Sequence, residues 1–141
     1  MDQDFTRRVS IVINRELPSW QVLNTVSHIA AYFGNKLGAD FDTGEFFETE
    51  DGTPYPRNSQ YAIIALAASA DQMKSFEREV RATQDVKSMF FIREMIETTS
   101  DAEIIEMLST KTDDQVEVLG IGVFGENQTI KALTKRFKLW S

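Results

Sequence analysis

Residues 8–35 read RVSIVINRELPSWQVLNTVSHIAAYFGN and predict a buried strand followed directly by a long helix. The consecutive β-branched residues at 11–13 are typical of a strand that is covered on both faces of its sheet. Pro18 suits the first helical turn, because proline lacks the N–H group that would be unpaired there. We expect Gly34 or Gly38 to end the helix. The core side of the helix is expected to consist of Trp20, Leu23, Val26, Ile29, Ala30 and Phe33.

The predicted helix carries no charged side chain before Lys36, although 26% of the chain is charged. Its uncharged polar residues follow three- and four-residue steps and therefore share one face. They are Gln21, Asn24, Thr25, His28 and Tyr32. A solvent face would normally carry Lys and Glu, so this polar stripe indicates a covered face or the wall of a cleft. His28, the only histidine, is the candidate catalytic residue because imidazole exchanges protons near neutral pH. A structural histidine is the alternative.

The rest of the chain alternates predicted strands and helices. Further strands are expected at 60–68, 86–92 and 116–123, and a short edge strand at 136–140. Helices are expected from capping-box patterns that begin at Ser69 and at Ser100, and over residues 126–134. This alternation predicts a single domain over residues 1–141, an α/β/α sandwich of three layers with a mixed, largely parallel sheet.

Residues 39–59 are expected to be mostly irregular, with a short hairpin around the Asp51-Gly52 turn signal. Pro54 and Pro56 argue against a central strand. An irregular segment of this length is typical of a binding loop or lid. The alternative is a surface insertion that is packed by its own aromatic residues.

Composition excludes several kinds of site. The chain has no cysteine and one histidine, which excludes disulfides, thiolate chemistry and most zinc sites. A carboxylate site for a hard cation stays open, but we predict no cofactor and no metal ligand. The net charge of −7 disfavours general nucleic-acid binding, although basic residues near both ends could form a local patch. With no membrane span and no secretory signal, we expect a cytoplasmic protein.

Residues 120–125 (GIGVFG) match the G-x-G-x-x-G pattern of dinucleotide-binding turns. That fingerprint needs a further strand with an acidic residue about 20 positions later, and only 16 residues follow Gly125. We therefore expect the glycines to permit close backbone approach and a tight turn from strand to helix.

Charged and polar residues follow two predicted strands. Arg15 and Glu16 follow the first strand, and Glu94, Glu97 and Thr98 follow the strand at 86–92. If these strands are parallel neighbours, the five residues meet near the start of the first helix, where an anion would be favoured. The alternative is a surface salt-bridge cluster of little energetic weight.

The order of elements resembles the type-2 peptidyl-tRNA hydrolases. Residues 15–17 (REL) and the helix segment 27–30 (SHIA) are similar to the opening of that family. Residues 118–122 (VLGIG), Thr134 and residues 137–140 (FKLW) are similar to its last strand and closing segment. The resemblance covers nearly the whole chain, and it implies the hydrolase family's fold.

Residues 17–24 (LPSWQVLN) and 91–98 (FIREMIET) resemble more closely a family of uncharacterised bacterial proteins with this fold. The hydrolases carry a lysine before the histidine, where this chain has Gln21. Their Asp-Ala-Gly-x-Thr segment is also unmatched, so only His28 and either Thr98 or Thr99 carry over. The lost lysine removes a cation that could stabilise an oxyanion.

We therefore predict a protein that binds a small ligand in a cleft. The expected cleft residues are Arg15, Gln21, Asn24, His28, Arg93, Glu94 and Thr98. One alternative is a hydrolase of an aminoacyl or peptidyl ester such as peptidyl-tRNA, with His28 as the base and Arg15 or Arg93 as its electrostatic partner. The other is an oligomerising interaction module, a homodimer formed through an edge strand. That edge strand would expose Phe137, Leu139 and Trp140.

Overall fold

The computed structural model describes residues 3–41 and 44–141, and residues 42–43 of the 39–59 segment lie outside this description. The strands are β1 (Arg7–Asn14), β2 (Phe46–Glu48), β3 (Pro54–Pro56), β4 (Ala62–Ala68), β5 (Lys87–Ile92), β6 (Val118–Glu126) and β7 (Lys138–Leu139). The helices are α1 (Ser19–Leu37), α2 (Ala70–Ala82), α3 (Arg93–Glu97), α4 (Asp101–Ser109) and α5 (Asn127–Thr134). Two 3₁₀ turns occupy Gly38–Phe41 and Asp113–Gln115.

Within the described residues, the main sheet has five strands in the order β5-β6-β1-β4-β7. β1 pairs with β4 in parallel, whereas β6 runs antiparallel to both β1 and β5, and β7 runs antiparallel to β4. The predicted mixed sheet is confirmed, but only one of these four pairings is parallel, so the sheet has less parallel pairing than expected. The Arg93 N–H group donates to the Glu117 carbonyl at 3.0 Å. β6 therefore starts where β5 ends and runs back antiparallel between β5 and β1.

Helix α1 covers one face of the sheet, and its buried residues are Val22, Thr25, Ile29, Phe33 and Leu37. The expected core side was wrong in part, because Trp20 is 60% exposed and Leu23 is 68% exposed. Two glycines of β6 explain the rotation of the helix. A Cβ atom at Gly120 would clash with Thr25, and one at Gly122 would clash with Ile29 and Phe33.

Helices α2 and α5 cover the opposite face, where Met73, Phe76, Val80 and Ile130 pack on the sheet. The capping box at the start of α2 forms as predicted, with Ser69 and Gln72 bonded reciprocally. The box predicted at Ser100 does not form, because its side chain makes no capping hydrogen bond. Helix α4 nevertheless begins at Asp101. Helices therefore lie on both faces of the sheet, as the predicted layers required.

The predicted hairpin is present, with β2 and β3 antiparallel around Gly52, which has a φ of +81°. It forms its own two-stranded sheet. The predicted edge strand is also present as β7. Of its expected exposed residues, Leu139 and Trp140 are exposed, but Phe137 is buried against Phe76 at a centroid distance of 4.9 Å.

Candidate functional site

A cleft of about 520 Å³ lies beside His28, between α1, the edge strand β5 and the α3–α4 segment. Alternation along β5 turns Met89 and Phe91 toward α1. Its apolar lining is Met89, Phe91, Met95, Ile104 and Ile105. Its polar lining is His28, Thr98, Thr99 and Asp101. The cleft is thus mainly apolar, with several polar groups that could orient a ligand.

The imidazole of His28 stacks on the ring of Phe91, with centroids 5.1 Å apart and ring planes 12° from parallel. His28 is exposed, and no described residue hydrogen-bonds its ring nitrogens. His28 lies at the border of the buried face of α1, on the side of β5, and its imidazole therefore reaches the cleft. A ring held by stacking alone keeps both nitrogens available to a ligand or to proton transfer.

Arg93 and Gln21, which the sequence placed in one site, are in direct contact. The Arg93 Nη1 atom donates to Gln21 Oε1 at 2.9 Å, and its Nε and Nη2 atoms donate to the Glu117 carboxylate at 2.7 and 3.1 Å. The bonds with Glu117 raise the pKa of Arg93, and the bonds from Arg93 lower the pKa of Glu117. This guanidinium therefore joins α1 to the start of β6 and is already occupied by protein groups.

Glu94 is buried and is held by Lys111, whose Nζ atom lies 2.5 Å from Glu94 Oε1. Its other carboxylate oxygen is buried without a hydrogen-bond partner. Glu94 does not line the cleft, so its contacts describe an attachment of α3 to the loop after α4 rather than a ligand contact.

The remaining predicted site residues are distributed around the first helix. Thr98 lines the cleft, whereas Asn24 lies one turn before His28, is half-buried and is not part of the lining. Arg15 is exposed, and its N–H group donates to the Ala68 carbonyl at 2.9 Å.

The predicted meeting of Arg15 and Glu16 with the residues after β5 was wrong in its premise, because β6 lies between β1 and β5. A Glu16 carboxylate oxygen instead accepts from the Ala70 N–H group at the start of α2, at 3.2 Å. The polar stripe is also divided. Thr25 is fully buried under Gly120, while His28 faces the cleft.

Sequence reasoning missed six cleft residues, which are Met89, Phe91, Met95, Asp101, Ile104 and Ile105. Helix α4 carries the adjacent pair Ile104 and Ile105, but such a pair is also compatible with ordinary core packing and is not a specific signal. Nothing local indicates that this helix folds back beside His28. Among the described residues, no group of three or more His, Asp or Glu side chains is arranged to hold a metal ion.

A family model described as a protein of unknown function, DUF2000, matches residues 7–141. The chain belongs to the DUF2000 family. This DUF2000 chain is also similar to a solved structure, a protein of unknown function from Agrobacterium tumefaciens strain C58. The identity is 21% and the TM-score 0.82, over 98% of this chain and 100% of the other. That likeness shows a shared fold. A comparison with curated proteins gives no match. No helix in the described part of the chain is long and apolar enough to cross a membrane.

Proposed function

We propose that this DUF2000 protein binds a small organic ligand in the cleft beside His28. The observation that carries the proposal is the exposed imidazole of His28 in a mainly apolar cleft of about 520 Å³. It stacks on the ring of Phe91, which is only 2% exposed, and this supported imidazole forms an aromatic platform. Ligand sites typically have volumes of roughly 300–1,000 Å³, apolar walls and a few convergent polar groups. The cleft has each of these properties.

The lining favours a ligand with a flat or compact apolar part. An aromatic ring can lie against the platform, because stacked and edge-to-face arrangements are both favourable. Met89 and Met95 are unbranched and polarisable, so they can adapt to the shape of the ligand. The Thr98 and Thr99 hydroxyl groups and the free nitrogens of His28 supply hydrogen bonds to its polar end.

A neutral probe tests this proposal. We expect 2-phenylethanol to bind with a Kd on the order of 1 mM, or about −4 kcal/mol, and to shift the NMR signals of the Met89 and Met95 methyl groups. Ile104→Trp fills the cleft and should abolish those shifts, whereas Leu23→Trp, on the exposed side of α1, should preserve them. Thermal unfolding of each variant checks that it is folded. Unchanged methyl signals at saturating probe, or shifts confined to other surfaces, would refute the site.

A hydrolase of aminoacyl or peptidyl esters is the second candidate. It is supported by the open imidazole of His28, which faces Thr98 and Thr99 without a protein hydrogen bond. The occupied guanidinium of Arg93 counts against it, since an oxyanion needs a free donor. Cleavage of peptidyl-tRNA is compared between the wild type and His28→Ala. Equal turnover at the background rate in both proteins would reject the enzyme.

The type-2 peptidyl-tRNA hydrolase-like architecture remains part of this proposal. It is supported by the order of strands and helices and by the segment around His28. The substitution of Gln21 for the lysine of those enzymes is the reason that we rank ligand binding above hydrolysis.

A further inference from the structure

Asp101 is the only charged side chain that lines the His28 cleft within the described residues. It lies in the first turn of α4, is exposed, and forms no ion pair in the part of the chain that the structure describes. The amide groups at the start of a helix favour negative charge, and Asp101 itself supplies that charge. Because Asp101 is exposed and has no ion-pair partner among the described residues, its carboxylate is available to a ligand in the cleft.

The surroundings of the cleft strengthen this negative potential. Glu103 and Glu106 are exposed on α4 without an ion-pair partner among the described residues, and Glu97 has only a 3.9 Å contact with Arg93. Two basic residues on the segments after β5 and α4 are bound by carboxylates. Arg93 is bound by Glu117, and Lys111 is bound by Glu94.

We propose that the ligand class of the cleft is an organic cation, an amine that carries a compact apolar or aromatic group. This inference rests on the proposed function and adds the sign of the ligand's charge. The apolar group packs against the platform of His28 and Phe91, and the ammonium group pairs with the Asp101 carboxylate.

The same geometry disfavours phosphates and carboxylates. An anion in the cleft would approach Asp101 without a lysine or arginine in the lining to balance it, and like charges in a partly apolar site repel. The net charge of −7 adds to this preference at long range, because it attracts cations and repels anions. The cleft thus selects by charge as well as by shape.

Three probes that share a phenylethyl group and differ in its polar end separate the sign of the charge from simple apolar binding. They are 2-phenylethylamine, 2-phenylethanol and 3-phenylpropionate, each titrated into the full chain while the methyl signals of Met89 and Met95 are followed by NMR. We expect the amine to bind about fivefold more tightly than the alcohol, as for an exposed charge pair, and the carboxylate to bind most weakly. Added salt should reduce the preference for the amine, because it screens exposed charges.

Variants assign the preference to Asp101. Asp101→Asn should bring the affinity for the amine close to the affinity for the alcohol, with both measured on the same variant. Glu103→Gln removes one charge from the same helix outside the lining, and it should keep most of the preference for the amine.

The outcomes separate the two proposals. Equal binding of amine and alcohol, tighter binding of the carboxylate, or an amine preference that survives Asp101→Asn would overturn the charge inference while the ligand cleft stands. Failure of all three probes to move the methyl signals would overturn the proposed function, and this inference with it.

Discussion

The ion pair of Glu94 with Lys111 predicts a large loss of stability when the lysine is replaced. Glu94 is 1% exposed, its Oε1 atom lies 2.5 Å from Lys111 Nζ, and its Oε2 atom has no partner. Lys111→Met leaves the buried carboxylate without the cation that is hydrogen-bonded to it. Breaking a buried pair by removing one partner costs about 3–5 kcal/mol.

We expect Lys111→Met to lower the free energy of unfolding by about 3 kcal/mol, the lower end of that range. The lower end applies because 33% of the lysine side chain is exposed. Glu94→Leu should cost less, since the freed ammonium group can turn toward water. The double variant should be close to Glu94→Leu alone, because an apolar pair of similar volume often replaces a buried ion pair without loss. The two substitutions are therefore strongly non-additive.

Urea denaturation measures these free energies of unfolding. Lys74→Met is the matched control, because Lys74 binds Glu77, another carboxylate that is 1% exposed, at 2.7 Å. Arg81 also binds Glu77, at 2.8 Å, so that carboxylate keeps a partner. Lys74→Met should thus cost clearly less than Lys111→Met. Equal costs for the two lysine variants, or additive effects of Lys111→Met and Glu94→Leu, would refute the reasoning.

Three further predictions concern packing, acid stability and assembly. Gly122→Ala should destabilise the protein by about 1–3 kcal/mol in urea titrations through overpacking against α1. Gly34→Ala, with open space around its Cβ position, should stabilise it by about 0.5–1 kcal/mol. Arg93 lowers the pKa of Glu117, so the pair's contribution is present above the ordinary value of 4.5 and is lost as the pH falls through the folded value. Glu117→Gln should reduce the acid dependence of the urea midpoint. A homodimer through β7 predicts a mass that rises with concentration in light scattering and falls to 16.1 kDa in Trp140→Lys. A wild-type mass of one chain at every concentration would exclude it.

Strand positions were predictable because runs of β-branched and apolar residues mark them locally. The rotation of α1 was not. Periodicity identifies a stripe but not which side of it meets the sheet, and two glycines about 100 positions away decide that. Gly120 and Gly122 create the space that admits Thr25 and Ile29, so the helix turns Trp20 outward.

One wall of the candidate site, the one formed by α1, was predictable from the sequence. The uncharged stripe of α1 pointed to His28, because a face without Lys or Glu is unusual on a surface helix. The other walls depend on the path of the chain after β5, which is set by long-range contacts. The insertion of β6 between β1 and β5 also separated Arg15 from the residues after β5, although each follows its own strand as expected.

The segment after β5 shows why charge in a sequence is a poor guide to the chemistry of this cleft. Arg93 and Glu94 are the charged residues of this segment that were predicted to line the cleft. Arg93 is bound by Glu117 and Glu94 by Lys111. These pairs hold α3 at the edge of the sheet. They position Met95 in the cleft. Asp101 is then the one carboxylate in the described lining of the cleft, which contains no lysine or arginine. The polar residues available to a ligand are therefore those without a charged protein partner, and in this cleft they include His28 at the aromatic platform and Asp101 at the start of α4.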